Sequence, residues 1–213
     1  MDTVERLIAS KLLQIKAVKL QPDNPFTWAS GWKSPIYCDN RKTLSYPDIR
    51  TVIKTELTNL ITTHFPEATA IAGVATGAIA QGALVADAMQ LPFVYIRATP
   101  KDHGLENIIE GELKLGAKVV VVEDLVSTGG SSLKAVQAIR NFGCEAIGMA
   151  AIFTHGFSIV EQQFKEAGVP LYVLSNYNAV IEEALRTNYI DAADMAVLKE
   201  WRKDPANWSP KNK

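Results

Sequence analysis

The densest group of residues that could do chemistry lies in the middle of the chain, at residues 119–131. Four valines precede the adjacent carboxylates Glu123 and Asp124, and a turn rich in small hydroxyl and glycine residues follows them. Residues 127–131 lie at the N-terminus of the helix expected next, which is its positive end. The glycines there allow the backbone N–H groups to point at a common centre, where they would bind a phosphate monoester. The carboxylates would accept hydrogen bonds from vicinal ribose hydroxyls, directly or through Mg2+. This stretch therefore predicts a site for a sugar phosphate.

A purely structural interpretation of the same stretch is the alternative. Asp124 would then cap a turn, Glu123 would be solvated, and the Thr-Gly-Gly would only connect a strand to a helix. The complete thirteen-residue run favours the ligand site over that interpretation. A Walker A loop is excluded because no GxxxxGK[ST] pattern occurs anywhere in the chain.

Three side chains that could bind phosphate lie upstream, in the segment RATPKDHG. Arg97 can clamp a phosphate with two parallel hydrogen bonds, and Lys101 and His103 can neutralise charge on departing pyrophosphate. Such groups act most strongly in a closed site that excludes water. The alternative is a solvated loop in which His103 is incidental.

Two further segments carry weaker signals. Residues 25–45 are aromatic, rich in turn residues and without a clear period, as expected of a flap over a ligand. Ala75, Thr76 and Gly77 lie where a strand gives way to a helix, and they could offer N–H groups to pyrophosphate. Any such turn packed on a sheet also prefers small residues.

The elements around these segments predict a doubly wound α/β core. Continuous apolar runs, typical of strands covered on both faces, alternate with helical segments from about residue 65 to 175. Strands are predicted at 68–74, 91–97, 118–124, 145–153 and 170–175. Helices are predicted at 4–18, 47–63, 78–89 and 131–142. Ligands bind at the carboxyl edge of such sheets, where the predicted phosphate turn lies.

Composition excludes several classes of function. Twenty-two basic and twenty-three acidic residues give a net charge of −1, without the positive field of a general nucleic-acid binder. Cys38 and Cys144 form no CxxC pair, so neither a zinc site nor a disulfide framework is indicated and a cytoplasmic setting is expected. No apolar run approaches the ~20 residues that span a bilayer, and the N-terminus does not resemble a signal peptide.

Three segments together resemble the orotate phosphoribosyltransferase family, a branch of the type I phosphoribosyltransferases. Residues 119–131 resemble the motif that binds phosphoribosyl pyrophosphate (PRPP), with an apolar strand, an acidic pair and a glycine-rich loop in order. Residues 97–104 resemble the mobile catalytic loop, R-x-x-x-K-x-H-G. Residues 26–37 are similar to the element F-x-x-x-S-G-x-K-S-P-x-Y, which forms a hood over the base. The resemblance covers nearly the whole chain.

The resemblance implies a type I phosphoribosyltransferase fold, which is an α/β fold with a mainly parallel sheet flanked by helices and a small hood. It also implies one phosphoribosyltransferase domain over residues 1–213. Within that domain, residues 1–45 would form an N-terminal helix and the hood, residues 65–175 the α/β core, and residues 176–213 the C-terminal helices and tail.

The reaction of this family transfers the ribose 5-phosphate group of PRPP to orotate, giving orotidine 5'-monophosphate and pyrophosphate in de novo UMP biosynthesis. The resemblance implies a pentosyltransferase that uses Mg2+, with PRPP and orotate as partners and neither nucleic acid nor membrane. It implies a homodimer in which the catalytic loop closes over PRPP in the neighbouring subunit. A phosphoribosyltransferase for another base, such as a purine, and a non-catalytic PRPP sensor are the alternatives.

The family motifs assign roles to individual positions. Catalytic roles are assigned to Lys101, His103 and Asp124. PRPP would be bound by Arg97, Lys101, His103, Glu123, Asp124, Leu125, Val126, Ser127, Thr128, Gly129, Gly130, Ser131, Ala75, Thr76 and Gly77. Orotate would be contacted by Ser127, Tyr37, Ser30 and Lys33, with Tyr37 packing against the ring. Mg2+ would be held mainly through PRPP, with Glu123 and Asp124 as the candidate protein ligands.

The sequence departs from the family pattern at several positions that are basic in some members. These positions hold Ala29, Thr76 and Ala98, and residues 152–157 lack an arginine that some members use near orotate. We therefore expect a branch of the family with fewer basic contacts to its substrates.

Overall fold

The computed structural model describes residues 3–28, 30–99 and 108–210. The helices are α1 Thr3–Gln14, α2 Pro47–His64, α3 Ile79–Met89, α4 Gly130–Asn141, α5 Ser158–Glu166, α6 Tyr177–Arg186 and α7 Ala192–Lys203, with a 3-10 helix at Asn40–Ser45. The strands are β1 Val18–Leu20, β2 Phe26–Thr27, β3 Lys33–Ser34, β4 Ile36–Cys38, β5 Ala70–Val74, β6 Phe93–Ile96, β7 Ile109–Glu110, β8 Lys118–Val126, β9 Glu145–Thr154 and β10 Leu171–Asn176.

Two compact units make up the chain. Met1–Lys42 and Ser175–Lys213 form the first, called here the hood unit, and Thr43–Leu174 form the second, the core unit. The division into a single domain with a hood at residues 1–45 stays a prediction.

The core unit is organised around a sheet with the strand order β10-β9-β8-β5-β6-β7. Strands β6, β5, β8 and β9 run parallel to one another, and β7 is antiparallel to β6. The predicted strands at 68–74, 91–97, 118–124, 145–153 and 170–175 all occur, with shifted ends. A mainly parallel sheet with helices, as the sequence predicts, is therefore confirmed.

Packing on the sheet explains why its central strands form. The five valines of β8 and all residues of β5 are buried, because β-branched and small side chains fill a strand that is covered on both faces. Helix α3 lies close against β5, since a Cβ on Gly82 would come within 3.2 Å of the Gly73 Cα. This close approach places the turn between β5 and α3 at the carboxyl edge of the sheet.

Three boundaries differ from the sequence prediction. Strand β8 continues through Leu125 and Val126, which were expected in the loop, because both pair with β9 as Leu125↔Phe153 and Val126↔Thr154. Residues 109–110, for which no strand was predicted, form β7 through antiparallel pairing with β6. The first helix ends at Gln14 instead of residue 18, and Val18–Leu20 form β1 paired with β4.

Within the hood unit, two short antiparallel pairs carry the aromatic segment. Strand β1 pairs with β4, and β2 pairs with β3. Trp201 of α7 is fully buried, and its indole Nε1 donates a hydrogen bond to the Lys33 carbonyl at 3.1 Å. The Trp28 ring meets Trp201 edge-on at 5.6 Å. A C-terminal helix therefore supports the ribbon that β2 and β3 form.

Across the described ranges, no helix is both long and apolar enough to cross a membrane.

Candidate active site

The turn between β8 and α4 has the geometry of a phosphate cradle. Gly129 is buried with φ +84°, a left-handed conformation that glycine adopts without the strain other residues would incur, and α4 begins directly after it. Among the described residues, no side chain caps this helix. Its first N–H groups lack intrahelical partners and can therefore bind an anion. The exposed residues Thr128, Gly130 and Ser131 open this turn to solvent.

Glu123 lies beneath this turn rather than on its surface. It is 4% exposed, and its Oε2 accepts a hydrogen bond from Ser132 Oγ at 3.0 Å while its Oε1 accepts one from the Asp124 N–H at 3.1 Å. Burial first, and then the charge of Asp124, raises the pKa of Glu123 to about 8. This carboxyl group therefore ties β8 to the first turn of α4, and its protonated form is favoured at neutral pH.

Asp124 meets the second predicted phosphate segment. Its half-buried carboxylate lies so close to Gly77 that a Cβ at that position would collide with it. Gly77 belongs to the turn after β5, in which the Ala75–Thr76 peptide is cis. The structure thus brings Asp124 together with the turn of Ala75, Thr76 and Gly77, although the two segments are far apart in sequence.

The backbone of Arg97 lies next to the turn of Ala75, Thr76 and Gly77. The Ala75 N–H donates a hydrogen bond to the Ile96 carbonyl at 2.8 Å, and the Arg97 N–H donates one to the Ile108 carbonyl at 2.8 Å. The Arg97 guanidinium forms an ion pair with Glu110, with 3.3 Å between Arg97 Nη1 and Glu110 Oε1. Lys101 and His103 lie outside the described residues, as does Ala29.

The end of β9 closes the other side of the phosphate turn. Thr154 Oγ1 donates a hydrogen bond to the Val126 carbonyl at 2.9 Å and accepts one from the Gly156 N–H at 3.1 Å. His155, in the segment that lacks the family's arginine, is buried edge-on to Phe153 at 5.4 Å and stacked on Phe157 at 5.6 Å. This segment therefore braces the site by packing.

The residues predicted to contact orotate in the hood unit are exposed there. Tyr37 is 39% exposed, and its ring lies 5.4 Å from the ring of Phe26. Lys33 Nζ donates a hydrogen bond to Thr27 Oγ1 at 2.7 Å, and Ser30 is exposed beside the same ribbon. Trp28 in the same unit is half-buried, and its Nε1 donates a hydrogen bond to the Ile36 carbonyl at 3.0 Å.

Sequence reasoning missed Ser132, Thr154 and Glu110. Ser132 comes one residue after the run that was identified, so a longer motif would have included it. Thr154 and Glu110 reach the site through strand pairing, and no local pattern in the sequence marks either of them.

Comparisons with known proteins agree with this geometry. A family model described as phosphoribosyl transferase domain matches residues 45–186. The orotate phosphoribosyltransferase of Bacteroides fragilis is 69% identical over 208 residues, which is 98% of each chain. The enzyme of that name from Porphyromonas gingivalis is 67% identical over 208 residues, covering 98% of this chain and 99% of the relative.

Solved structures give the same result. The crystal structure of orotate phosphoribosyltransferase from Aeropyrum pernix superposes with a TM-score of 0.76 at 26% identity, covering 86% of this chain and 99% of that one. A Mycobacterium tuberculosis orotate phosphoribosyltransferase in complex with PRPP shares the fold, with a TM-score of 0.63 at 20% identity over 83% of this chain and 98% of the other. With the phosphate turn, the acidic pair and these full-length relatives in agreement, the chain belongs to the orotate phosphoribosyltransferase family.

Proposed function

We propose that this protein transfers the ribose 5-phosphate group of PRPP to orotate, giving orotidine 5'-monophosphate and pyrophosphate in the synthesis of UMP. The observation that carries this proposal is the meeting of two turns and one carboxylate at one edge of the sheet. The phosphate turn after β8, the Asp124 carboxylate and the turn at Gly77 lie together there. Such an arrangement can hold a ribose between a phosphate at one end and a pyrophosphate at the other.

The chemistry needs positioned charges rather than a protein nucleophile. A bond forms between an orotate ring nitrogen and the anomeric carbon, and the proton of that nitrogen passes to water or to the leaving pyrophosphate. The bond from the anomeric carbon to pyrophosphate oxygen breaks, and pyrophosphate leaves with the electron pair. Because positive charge develops on the ribose, catalysis comes from stabilising the leaving group and orienting the base. We assign the 5-phosphate to the N–H groups of residues 127–131 and the ribose to Asp124.

Pyrophosphate departure is assigned to cationic and N–H donors on the adjoining segments. Thr76 and Gly77 are the candidate backbone donors of the turn after β5, whereas the Ala75 N–H, also predicted as a donor, already donates to the Ile96 carbonyl. Arg97 follows the neighbouring strand. Lys101 and His103 would act late in the reaction, as water is excluded from the site.

Mg2+ fits the charges of this site. In the described ranges, no group of three or more His, Cys, Asp or Glu residues could enclose a metal ion. Mg2+ in such enzymes needs only one or two carboxylates together with substrate phosphates and water. Asp124 is the carboxylate that would hold the ion, and Glu123 supports it by accepting a hydrogen bond from the Asp124 N–H. The bound ion would neutralise pyrophosphate oxygens.

Orotate recognition is assigned to Ser127, Tyr37, Ser30 and Lys33. The exposed ring of Tyr37 and the exposed polar groups of Ser30 and Lys33 support this assignment within the hood unit. A stacked ring and a few polar donors are sufficient to select an anionic pyrimidine.

An ultraviolet assay tests the proposed function directly. Purified protein with PRPP and Mg2+ should consume orotate, seen as loss of its absorbance, and should leave adenine, hypoxanthine and uracil unchanged. Consumption of a purine instead would identify a phosphoribosyltransferase for another base. PRPP binding without consumption of any base would identify a sensor.

We also propose a cytoplasmic homodimer in which the loop containing Lys101 serves the neighbouring subunit. Lys101→Ala and Asp124→Asn variants should each lose most turnover. Mixing them with subunit exchange should restore activity, because some hybrid sites would then contain both native residues. Mixtures that stay inactive, although mass measurements show that hybrids have formed, would contradict the shared site.

A further inference from the structure

Glu110 and Arg97 share one face of the β6–β7 hairpin. The strands pair as Tyr95↔Glu110 and Ile96↔Ile109, and the Arg97 N–H continues this ladder to the Ile108 carbonyl at 2.8 Å. Residues two positions apart across an antiparallel pair lie on the same face, within reach of long side chains. The ion pair of 3.3 Å between Arg97 Nη1 and Glu110 Oε1 is therefore a consequence of strand register.

Backbone bonds hold Arg97 next to the turn assigned to pyrophosphate. Ile96, its predecessor, accepts the Ala75 N–H at 2.8 Å, so the base of Arg97 is tied to this turn on one side and to β7 on the other. Only the side chain remains to be oriented. Arginine has a flexible stem, and ordering it before a ligand arrives lowers the entropic cost of binding.

Arg97 also differs in charge from the described residues around the proposed pyrophosphate site. Within residues 75–77, 97–99 and 123–131, which the structure describes, Arg97 is the one basic side chain, whereas Glu123 and Asp124 are acidic. Thr76 and Ala98 stand where some family members have basic residues. Because these two positions are not basic here, the orientation of Arg97 should matter more for a polyphosphate in this chain than in members that have basic residues there.

The ion pair with Glu110 can orient the Arg97 guanidinium and still release it to a phosphate. Arg97 and Glu110 side chains are 33% and 21% exposed, so solvent screens their attraction. The ion pair with Glu110 uses one guanidinium nitrogen, whereas a guanidinium carries five N–H donors. A phosphate can bind two of these donors in parallel, which is the stronger arrangement.

We propose that Glu110 is a positioning residue that orients Arg97 toward the pyrophosphate group of PRPP. This inference rests on the proposed function, because it takes PRPP as the ligand of Arg97. Glu110 acts through Arg97 and does not itself contact the substrate.

Variants at Glu110 test the proposal by steady-state kinetics and by calorimetric titration of the protein with PRPP and Mg2+. Glu110→Ala should raise the KM and Kd for PRPP about 5-fold to 10-fold, and Glu110→Gln, which keeps a hydrogen-bond acceptor, about 2-fold to 3-fold. The KM for orotate and the Tm should change little in both. Glu112→Gln, at an exposed carboxylate two residues away, is the matched control and should match wild type.

A double-mutant cycle shows whether Glu110 acts through Arg97. Arg97→Ala combined with Glu110→Ala should bind PRPP no more weakly than Arg97→Ala alone. Independent, multiplicative losses would overturn the proposal, as would tighter PRPP binding in Glu110→Ala, which would mean that Glu110 competes with the substrate. A rise in the KM for orotate equal to that for PRPP would indicate general structural damage and would also overturn it.

The titrations separate this inference from the proposed function. A wild-type protein that binds PRPP without consuming orotate would refute the proposed reaction and still allow the Glu110 cycle to be measured. A wild-type protein that does not bind PRPP would refute both.

Discussion

In the core unit, the proposed phosphate contacts are mainly backbone N–H groups, whereas in the hood unit the proposed base contacts are side chains. The core turns follow β5 and β8 and depend on Gly77 and Gly129, which leave room for the backbone to approach. The hood residues Tyr37 and Lys33 are exposed on short strands. Trp201, 168 residues away from Lys33 in sequence, supports that ribbon with a hydrogen bond.

This contrast separates two kinds of recognition. A phosphate presents the same oxygens in every substrate, so a rigid set of N–H donors on a packed sheet can bind it. A base differs in shape and polar edge from other bases, and selecting it requires side chains. We therefore expect changes in the core unit to affect PRPP and changes in the hood unit to affect orotate.

The largest effect is expected from Gly77→Ala. The added Cβ would displace the Asp124 carboxylate, so kcat/KM for PRPP should fall about 100-fold, equivalent to roughly 3 kcal/mol. Thr76→Ala, in the same turn, removes atoms from an exposed side chain and should cost only a few-fold. Equal losses in the two variants would show that space at Gly77 is not what matters.

Glu123 should make the stability of the core depend on pH. Its pKa is about 8 in the folded protein and near 4.5 when unfolded, so the folded state binds more protons between these values. The free energy of unfolding should then fall as pH rises through this window, by up to about 1.4 kcal/mol per pH unit. Denaturant unfolding of the ligand-free protein should show this slope in wild type and in the exposed control Glu67→Gln. Glu123→Gln should lose it, and an unchanged slope in that variant would contradict the assignment.

Substitutions at Tyr37 test whether the hood unit recognises the base by stacking on an aromatic ring. Because stacking of a base on an aromatic side chain contributes about 1–3 kcal/mol, Tyr37→Ala should raise the KM for orotate about 10-fold. Tyr37→Phe keeps the ring and should change it by no more than about 2-fold, with the KM for PRPP unaffected in both. Tyr189→Ala, at a similarly exposed tyrosine of the same unit, should resemble wild type. An effect of Tyr37→Ala on PRPP alone would remove the distinction between the two units.

The smallest effect is expected from Trp201→Phe. This change retains an aromatic ring and removes the N–H donor to the Lys33 carbonyl, a hydrogen bond of the kind that contributes about 1 kcal/mol. The KM for orotate should rise about 3-fold, whereas the KM for PRPP should stay constant. Trp208→Phe provides the same chemical change at a half-buried tryptophan of the C-terminal tail. If both variants behave alike, α7 does not support the orotate contacts.

Much of the core was predictable because its signals are local. The valine run indicates a buried strand, and the small residues after β5 indicate a tightly packed turn. The glycine turn indicates a positive φ. Each of these signals depends only on the residue types at those positions. The family resemblance added the hood, the catalytic loop and the substrates, and full-length relatives confirm that family.

Other features depended on residues that are distant in sequence. Leu125 and Val126 became strand because β9 is long enough to pair with them, and residues 109–110 became strand because β6 lies beside them. The contacts of Glu123 with Ser132, of Thr154 with Val126 and of Arg97 with Glu110 likewise follow from packing and register.

By itself, the sequence determined the type and order of the five main core strands and of helices α1 to α4, and the place of the phosphate turn, because periodicity, glycine positions and β-branched runs act over a few residues. Only the tertiary structure decided how far each strand extends, which acidic groups are buried and which partner Arg97 takes. Strand pairing and burial depend on residues that are near in space and distant in sequence, so a local sequence pattern does not reveal them.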